Sequence, residues 1–179
     1  MKTLLFCLAL ILSAQGYAQK FYTKTGQLDF EASVPAFEPV KASHENVTAL
    51  VDTNTGDIAV LALMKGFRFR NALMEEHFNE NYMESDTYPK AVFKGTIQDF
   101  SLESLASTNS LIVKGTLTLH GKSKEIETPV TLKSVDGAYV MHTEFSVAPA
   151  DFGIEIPSVV SEKISDTISI IGNFNLVKK

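Results

Sequence analysis

Cysteine is almost absent from this sequence. The one example, Cys7, stands inside the apolar run of residues 4–12. That run follows Lys2 and precedes the small residues Gly16 and Ala18. This is the layout of a secretory signal peptide, with cleavage expected after Ala18. Cys7 lies too early to be the lipid-modified first residue of a lipoprotein, and it leaves with the signal. The mature chain, residues 19–179, then has no disulfide, no thiol nucleophile and no cysteine metal site. Its fold must rest on its core, for which about 160 residues suffice as a single domain. Long hydrophobic runs are missing too: residues 4–12 are too short for a permanent membrane anchor, and no transmembrane segment is expected in the mature chain. Positive charge is scarce, with 16 Lys and Arg against 21 Asp and Glu and a formal charge of -5. Residues 1–18 carry one lysine and no acid, so their removal makes the charge one unit more negative. Nucleic acid needs a basic face and is excluded as a partner. The expected location is periplasmic or secreted.

Catalytic signatures are also lacking. There is no G-x-S-x-G, no phosphate-cradling glycine loop and no dinucleotide fingerprint. The histidines, His44, His77, His120 and His142, form no local pair for a metal. His77 and Glu80 have H-x-x-E spacing, but Asn81 stands where a zinc-protease helix needs a second histidine. Nothing pairs a raised-pKa acid with an ionised partner, as hydrolysis would require. We read the chain as non-catalytic, with no metal site and no cofactor.

What is present is period-two alternation, the mark of half-buried strands. Leu28, Phe30 and Ala32 share a face over residues 27–34, as do Val47, Ala49 and Val51 over 44–52. Residues 58–64 are apolar on both faces. Leu111, Val113, Leu117 and Leu119 align, as do Tyr139, Met141, Phe145 and Val147, and Ile168, Ile170, Phe174 and Leu176. Turns are expected at residues 54–57, 120–122 and 136–137, and residues 101–110 read as a loop. Pro129 suggests an edge strand or a bulge, and an exposed edge there would be one place for self-pairing. The tripeptide Lys-Gly-Thr recurs at 94–96 and 114–116, each glycine marking a barrel bend or room for a ligand. This pattern predicts an all-β fold: an antiparallel barrel of about eight strands with one or two short helices. The first helix is capped by Asn71, carries Met74, Phe78 and Tyr82 at helical spacing with His77 beside them, and ends before Pro89. The second is expected over residues 158–165. An eight-stranded barrel is just wide enough to be filled or to hold one ligand, and aromatics with flexible methionines suit an apolar pocket.

The stretches MEEHFNENYMESDTYPKAVFKGTI, VKGTLTLHGKSKEIETPVTL, DFGIEIP and DTISIIGNFNL carry a resemblance. Together they are similar to the YceI-like family of exported bacterial lipid-binding proteins. The matching features are Phe78, Tyr82, Tyr88-Pro89 and Phe93, then Gly115, Leu117, Thr118 and Gly121. The resemblance covers residues 57–179 and implies a lipocalin-like barrel. It implies a long apolar, isoprenoid-type lipid held inside for transport or storage, and homodimers among some members. Residues 20–45, with Pro35 and Pro39, look short beside the family's opening strand pair. The ligand-binding candidates are Phe67, Phe69, Met74, Phe78, Tyr82, Phe93, Leu117, Phe145, Ile170 and Phe174. A polar head would sit near Asn71, His77 or Lys94. The alternative is a fully packed barrel, an envelope or stress-response protein acting through protein partners. A small lipid hydrolase is a third reading.

Overall fold

The computed structural model describes residues 19–101 and 110–179. The expected signal segment with Cys7, and residues 102–109 of the expected loop, lie outside them. Among the described residues nine strands form: β1 (Lys20–Ser33), β2 (Lys41–Asp52), β3 (Asp57–Leu63), β4 (Arg68–Phe69), β5 (Lys90–Ile97), β6 (Ser110–Leu119), β7 (Lys122–Val135), β8 (Ala138–Val147) and β9 (Ile164–Lys178). All pairings are antiparallel, in the order β1-β9-β8-β7-β6-β5-β3-β2, and β1 pairs β2 to close an eight-stranded barrel. The two-residue β4 attaches outside that ring, to β2. Helix α1 (Ala72–His77) runs into a single π-turn over Phe78–Tyr82.

The opening strand pair is not short. β1 has 14 residues and β2 has 12, and Pro35 and Pro39 fall between them. Alternation in β1 is readable only from residue 27 because the strand changes phase. Phe21 and Thr23 point inward, the pairing shifts on both sides of Gly26, and inward positions then become Leu28, Phe30 and Ala32. A bulge moves the inward set by one residue, so a fixed period of two cannot span it.

No helix forms over residues 158–165. Two consecutive turns stand there instead, with Val160 N–H donating to the Pro157 carbonyl and Lys163 N–H to that of Val160. So short a segment gains too few internal hydrogen bonds to offset helix nucleation. A 3₁₀ turn over Pro149–Phe152 forms instead, bounded by Pro149 and the left-handed Gly153.

Pro129 lies at the margin of the β7–β8 pairing, as the edge reading expects. It sits inside β7, opposite Ile112, just before the β7–β8 ladder begins at Val130 and Thr143. Its carbonyl accepts from the Thr143 hydroxyl at 2.8 Å, and its missing N–H costs no ladder bond there. The 3₁₀ turn flanks the unpaired part of β7: Lys124 pairs with Asp151, and His120 Nδ1 meets the Phe152 carbonyl at 3.2 Å. Residues 122–129 of β7 thus pair with β6 on one side and have no β8 partner on the other.

Gly95 and Gly115 face each other across β5 and β6. A Cβ on Gly115 would meet the Lys94 carbonyl oxygen at 2.3 Å. The repeat therefore reflects close backbone approach, and neither glycine lines a cavity. Gly121 (φ +72°) follows His120 (φ 49°), and Gly137 follows Asp136, in the two left-handed turns that join β6 to β7 and β7 to β8.

The two ends of the barrel differ. At one end Phe21 packs edge-on against Tyr139 at 4.7 Å, and Val47, Ala49, Val51, Leu132 and Leu176 are fully buried. The ends of β1 and β9 meet there, with Lys179 N–H donating to the Lys20 carbonyl at 2.8 Å. The other end receives α1, the β1–β2 connection and the turns before β9.

Candidate functional site

At this second end the inward side chains of the strands surround empty space. Leu28, Phe30 and Ala32 of β1, Ala62 of β3, Leu117 and Leu119 of β6, Phe145 and Val147 of β8, and Ile168 and Ile170 of β9 line a cavity of about 540 Å³. Met74, His77, Phe78, Tyr82 and Met83, from α1 and its continuation, form the remaining wall. Among the described residues, Tyr82 apart, the acidic and basic side chains at the lining are Asp29, Glu38, His77 and Lys163. The exposed lining residues Phe37, Glu38, His77 and Lys163 mark the mouth, where the Lys163 ammonium lies 6.0 Å from the Phe37 ring.

The helix is anchored by polar contacts and packed by aromatic ones. Asn71 caps it by accepting from Leu73 N–H at 2.9 Å. Glu75 takes the Arg68 guanidinium at 2.9 Å on one oxygen and the Phe69 N–H at 3.1 Å on the other, tying α1 to β4. The Asn79 amide donates to the Glu75 carbonyl, and Ser85 donates to Asn79. In the π-turn, Met83 N–H reaches the Phe78 carbonyl at 2.8 Å. This extra residue per turn lets Tyr82 and the buried Met83 both face the cavity. Phe78 lies against Phe30 at 5.4 Å, Phe67 at 5.7 Å and Phe69 at 5.1 Å between ring centres. Such offset and edge-on contacts each contribute about 0.5–1.5 kcal/mol beyond burial. Burial pushes the Tyr82 hydroxyl above its ordinary pKa of 10.0.

A second void of about 80 Å³ lies deeper in the barrel. Six residues line both spaces: Leu28, Ala62, Ala91, Leu117, Phe145 and Ile170. Below them stands Phe174, whose ring lies so close to Gly26 and Gly172 that a Cβ on either would strike it.

The structure therefore gathers Phe67, Phe69, Met74, Phe78, Tyr82, Leu117, Phe145 and Ile170 around the larger cavity, and places Phe93 and Phe174 at the smaller one. His77 stands at the mouth. Asn71 is occupied by capping, and Lys94 is exposed and lines neither space. Sequence reasoning missed Phe30 as the central ring of the aromatic cluster. It also missed Phe152, Ile154 and Ile156, which line the wall next to the 3₁₀ turn. Their alternation within DFGIEIP was the available signal.

Among the described residues, no group of three or more His, Cys, Asp or Glu is placed to hold a metal ion. Asp29 at the lining accepts from Gln27 and from Ser43, so its carboxylate is held within the wall. The arrangement can remove an apolar chain from water and offers little polar recognition beyond its rim.

His44, beside this end, is buried to 3 % exposure and packs edge-on to Phe67 at 5.2 Å. Its Nδ1 accepts from Asn46 N–H at 3.1 Å, so the proton sits on Nε2, which abuts Gly66. Burial pushes its pKa below the ordinary 6.5, helped by the nearby Arg68 charge and opposed by the Leu63 backbone. Above pH 6.5 both folded and unfolded chains hold a neutral ring. As pH falls below that value, the unfolded chain takes up a proton that the folded one resists, and stability drops. The expected loss is at most about 1.4 kcal/mol per pH unit. Urea unfolding of wild type and His44→Gln between pH 7.5 and 5 measures it; parallel curves would refute the assignment.

A model of the YceI-like domain matches residues 14–176. Among solved structures, a polyisoprenoid binding domain from Saccharophagus degradans, implicated in plant cell wall breakdown, is similar to this chain with a TM-score of 0.75 and 15% identity. That match covers 90% of this chain and 99% of that one. BcnA of Burkholderia cenocepacia gives a TM-score of 0.65 at 14% identity, covering 85% and 96%. A YceI protein of Campylobacter jejuni gives 0.62 at 16% identity, covering 80% and 86%. At these identities the likeness is one of fold. A search of curated proteins found no match to the chain.

Proposed function

This chain belongs to the YceI-like domain family, and from that premise we propose that it is a periplasmic or secreted carrier. Its cargo is a long apolar, isoprenoid-type lipid held in the barrel for transport or storage. The observation that carries this reading is the 540 Å³ cavity with its apolar wall. A packed barrel acting only through its surface has no need of such a space. The polyisoprenoid named for the Saccharophagus domain supports the same class of cargo. Each methylene removed from water contributes about 0.8 kcal/mol, so a long chain is held without a strong polar anchor. No step in this function makes or breaks a covalent bond. The signal segment read in residues 1–18 supports export.

Native mass spectrometry of the mature protein, purified from its own periplasm and then extracted with solvent, tests the proposal. We expect a bound species of fixed mass that passes into the organic phase. A clean ligand-free mass, together with no uptake of added isoprenoid lipids, would overturn it.

A further inference from the structure

Two of the eight seams of the barrel unpair toward the mouth. β7 and β8 are laddered only from Val130 and Thr143 to the turn that joins them. Residues 122–129 of β7 and 144–147 of β8 therefore have no partner across that seam. β2 and β3 are laddered only from Thr48 and Leu61 to their own turn, and residues 41–47 of β2 have no β3 partner. The other six seams stay laddered at the mouth, as at Leu63 with Lys90, Leu119 with Lys122 and Val147 with Ile168. In the ring order the two forks stand opposite each other. They divide the barrel into one leaf of β2, β1, β9 and β8 and another of β7, β6, β5 and β3, joined at the pole away from the mouth.

Each fork is filled by a short segment whose inner side chains line the cavity. In the first, the 3₁₀ turn after β8 supplies Pro149 and the fully buried Phe152. The backbone bonds of this turn close on themselves, from Asp151 N–H to the Ala148 carbonyl and from Gly153 N–H to that of Ala150. Its hold on the opposite leaf is by side chains. Lys124 pairs with Asp151, His120 Nδ1 donates to the Phe152 carbonyl, and the Lys122 chain lies over Gly153. In the second fork residues 64–69 cross from β3 to β2, with Met64 and Phe67 buried against the cavity and only the two residues of β4 laddered to β2. An exposed ion pair contributes little, whereas continuous backbone ladders hold each leaf together. Opening along the forks therefore breaks few bonds, and the ladders at the far pole serve as hinges. We infer that cargo enters and leaves by separation of the two leaves at these forks, with the 3₁₀ turn as the latch of the first. The inference rests on the carrier reading.

Residues 19–179 contain no cysteine, so introduced thiols can be linked without competition. Lys124→Cys with Asp151→Cys, joined by a short bis-maleimide, ties the two leaves across the first fork. Glu31→Cys with Lys41→Cys, joined in the same way, ties two paired strands of one leaf near the same end. Stopped-flow uptake and release of dansyl-labelled farnesol are then followed for each variant before and after linking. The link across the fork is expected to slow both rates by about tenfold or more while leaving their ratio unchanged, because a latch alters the barrier and not the bound state. The link within one leaf should alter neither rate. Rates untouched by the cross-fork link would overturn the gate while leaving the carrier function standing. Equal slowing by both links would do the same. No uptake by the unmodified protein would overturn both.

Discussion

A Phe78→Asp protein should lose its bound lipid and much of its stability together. The change sets a carboxylate among the rings of Phe30, Phe67 and Phe69, at 5.1–5.7 Å from the present ring centre. The neighbouring Arg68 is already engaged with Glu75. Burying an unpaired charge costs about 3 kcal/mol or more, and the ring contacts are lost as well. The expected result is a fall in Tm of roughly 10 °C and an empty barrel in native mass spectra. Phe78→Leu, which keeps an apolar group in the cluster, should retain both the fold and part of the lipid. His77→Ala, one residue earlier but exposed at the mouth, should change stability by less than about 0.5 kcal/mol. If Phe78→Asp keeps its ligand, the helix is not a wall of the site. If His77→Ala empties the barrel, the mouth does more than admit a chain.

Gly115→Val should be the most disruptive apolar substitution in the β5–β6 wall. The new Cβ would stand 2.3 Å from the Lys94 carbonyl oxygen and 2.5 Å from the Gly95 Cα. Both are backbone atoms held by the ladder, so neither can swing away as a side-chain end would. The expected cost is about 3 kcal/mol, the upper part of the range for overpacking. Thr116→Val, at the exposed neighbouring position of the same strand, should stay within about 0.5 kcal/mol. Urea midpoints for the two variants decide the matter. A Gly115→Val protein as stable as Thr116→Val would show that β5 and β6 do not approach as closely as described.

Much of the barrel is legible in the sequence because alternation survives wherever one face is buried and the other wet. The last strand shows it plainly: Ile168, Ile170, Phe174 and Leu176 face inward, and Asn173 and Asn175 outward. The start of β1 is not legible, since Gly26 resets its phase and splits one 14-residue strand into two half-patterns. Pro129, by contrast, reads correctly: proline signals a missing ladder bond, and the ladder on its β8 side has not yet begun. The aromatic candidates fall against the voids because the inner face of so small a barrel has few other places to put large side chains. Phe30 is harder to find. Its partners Phe67, Phe69 and Phe78 come from distant segments that meet only when β1, β4 and α1 converge.

The bond from Lys179 to Lys20 joins the start of β1 to the end of β9 at the pole opposite the mouth. A linker, fluorophore or solid support attached at either residue would therefore leave the cavity entrance facing outward and unobstructed. The same proximity permits a circularly permuted chain in which residues 179 and 20 are joined by a short peptide and new ends open elsewhere. Cargo exchange could then be followed from a tethered molecule whose point of attachment never competes with its ligand.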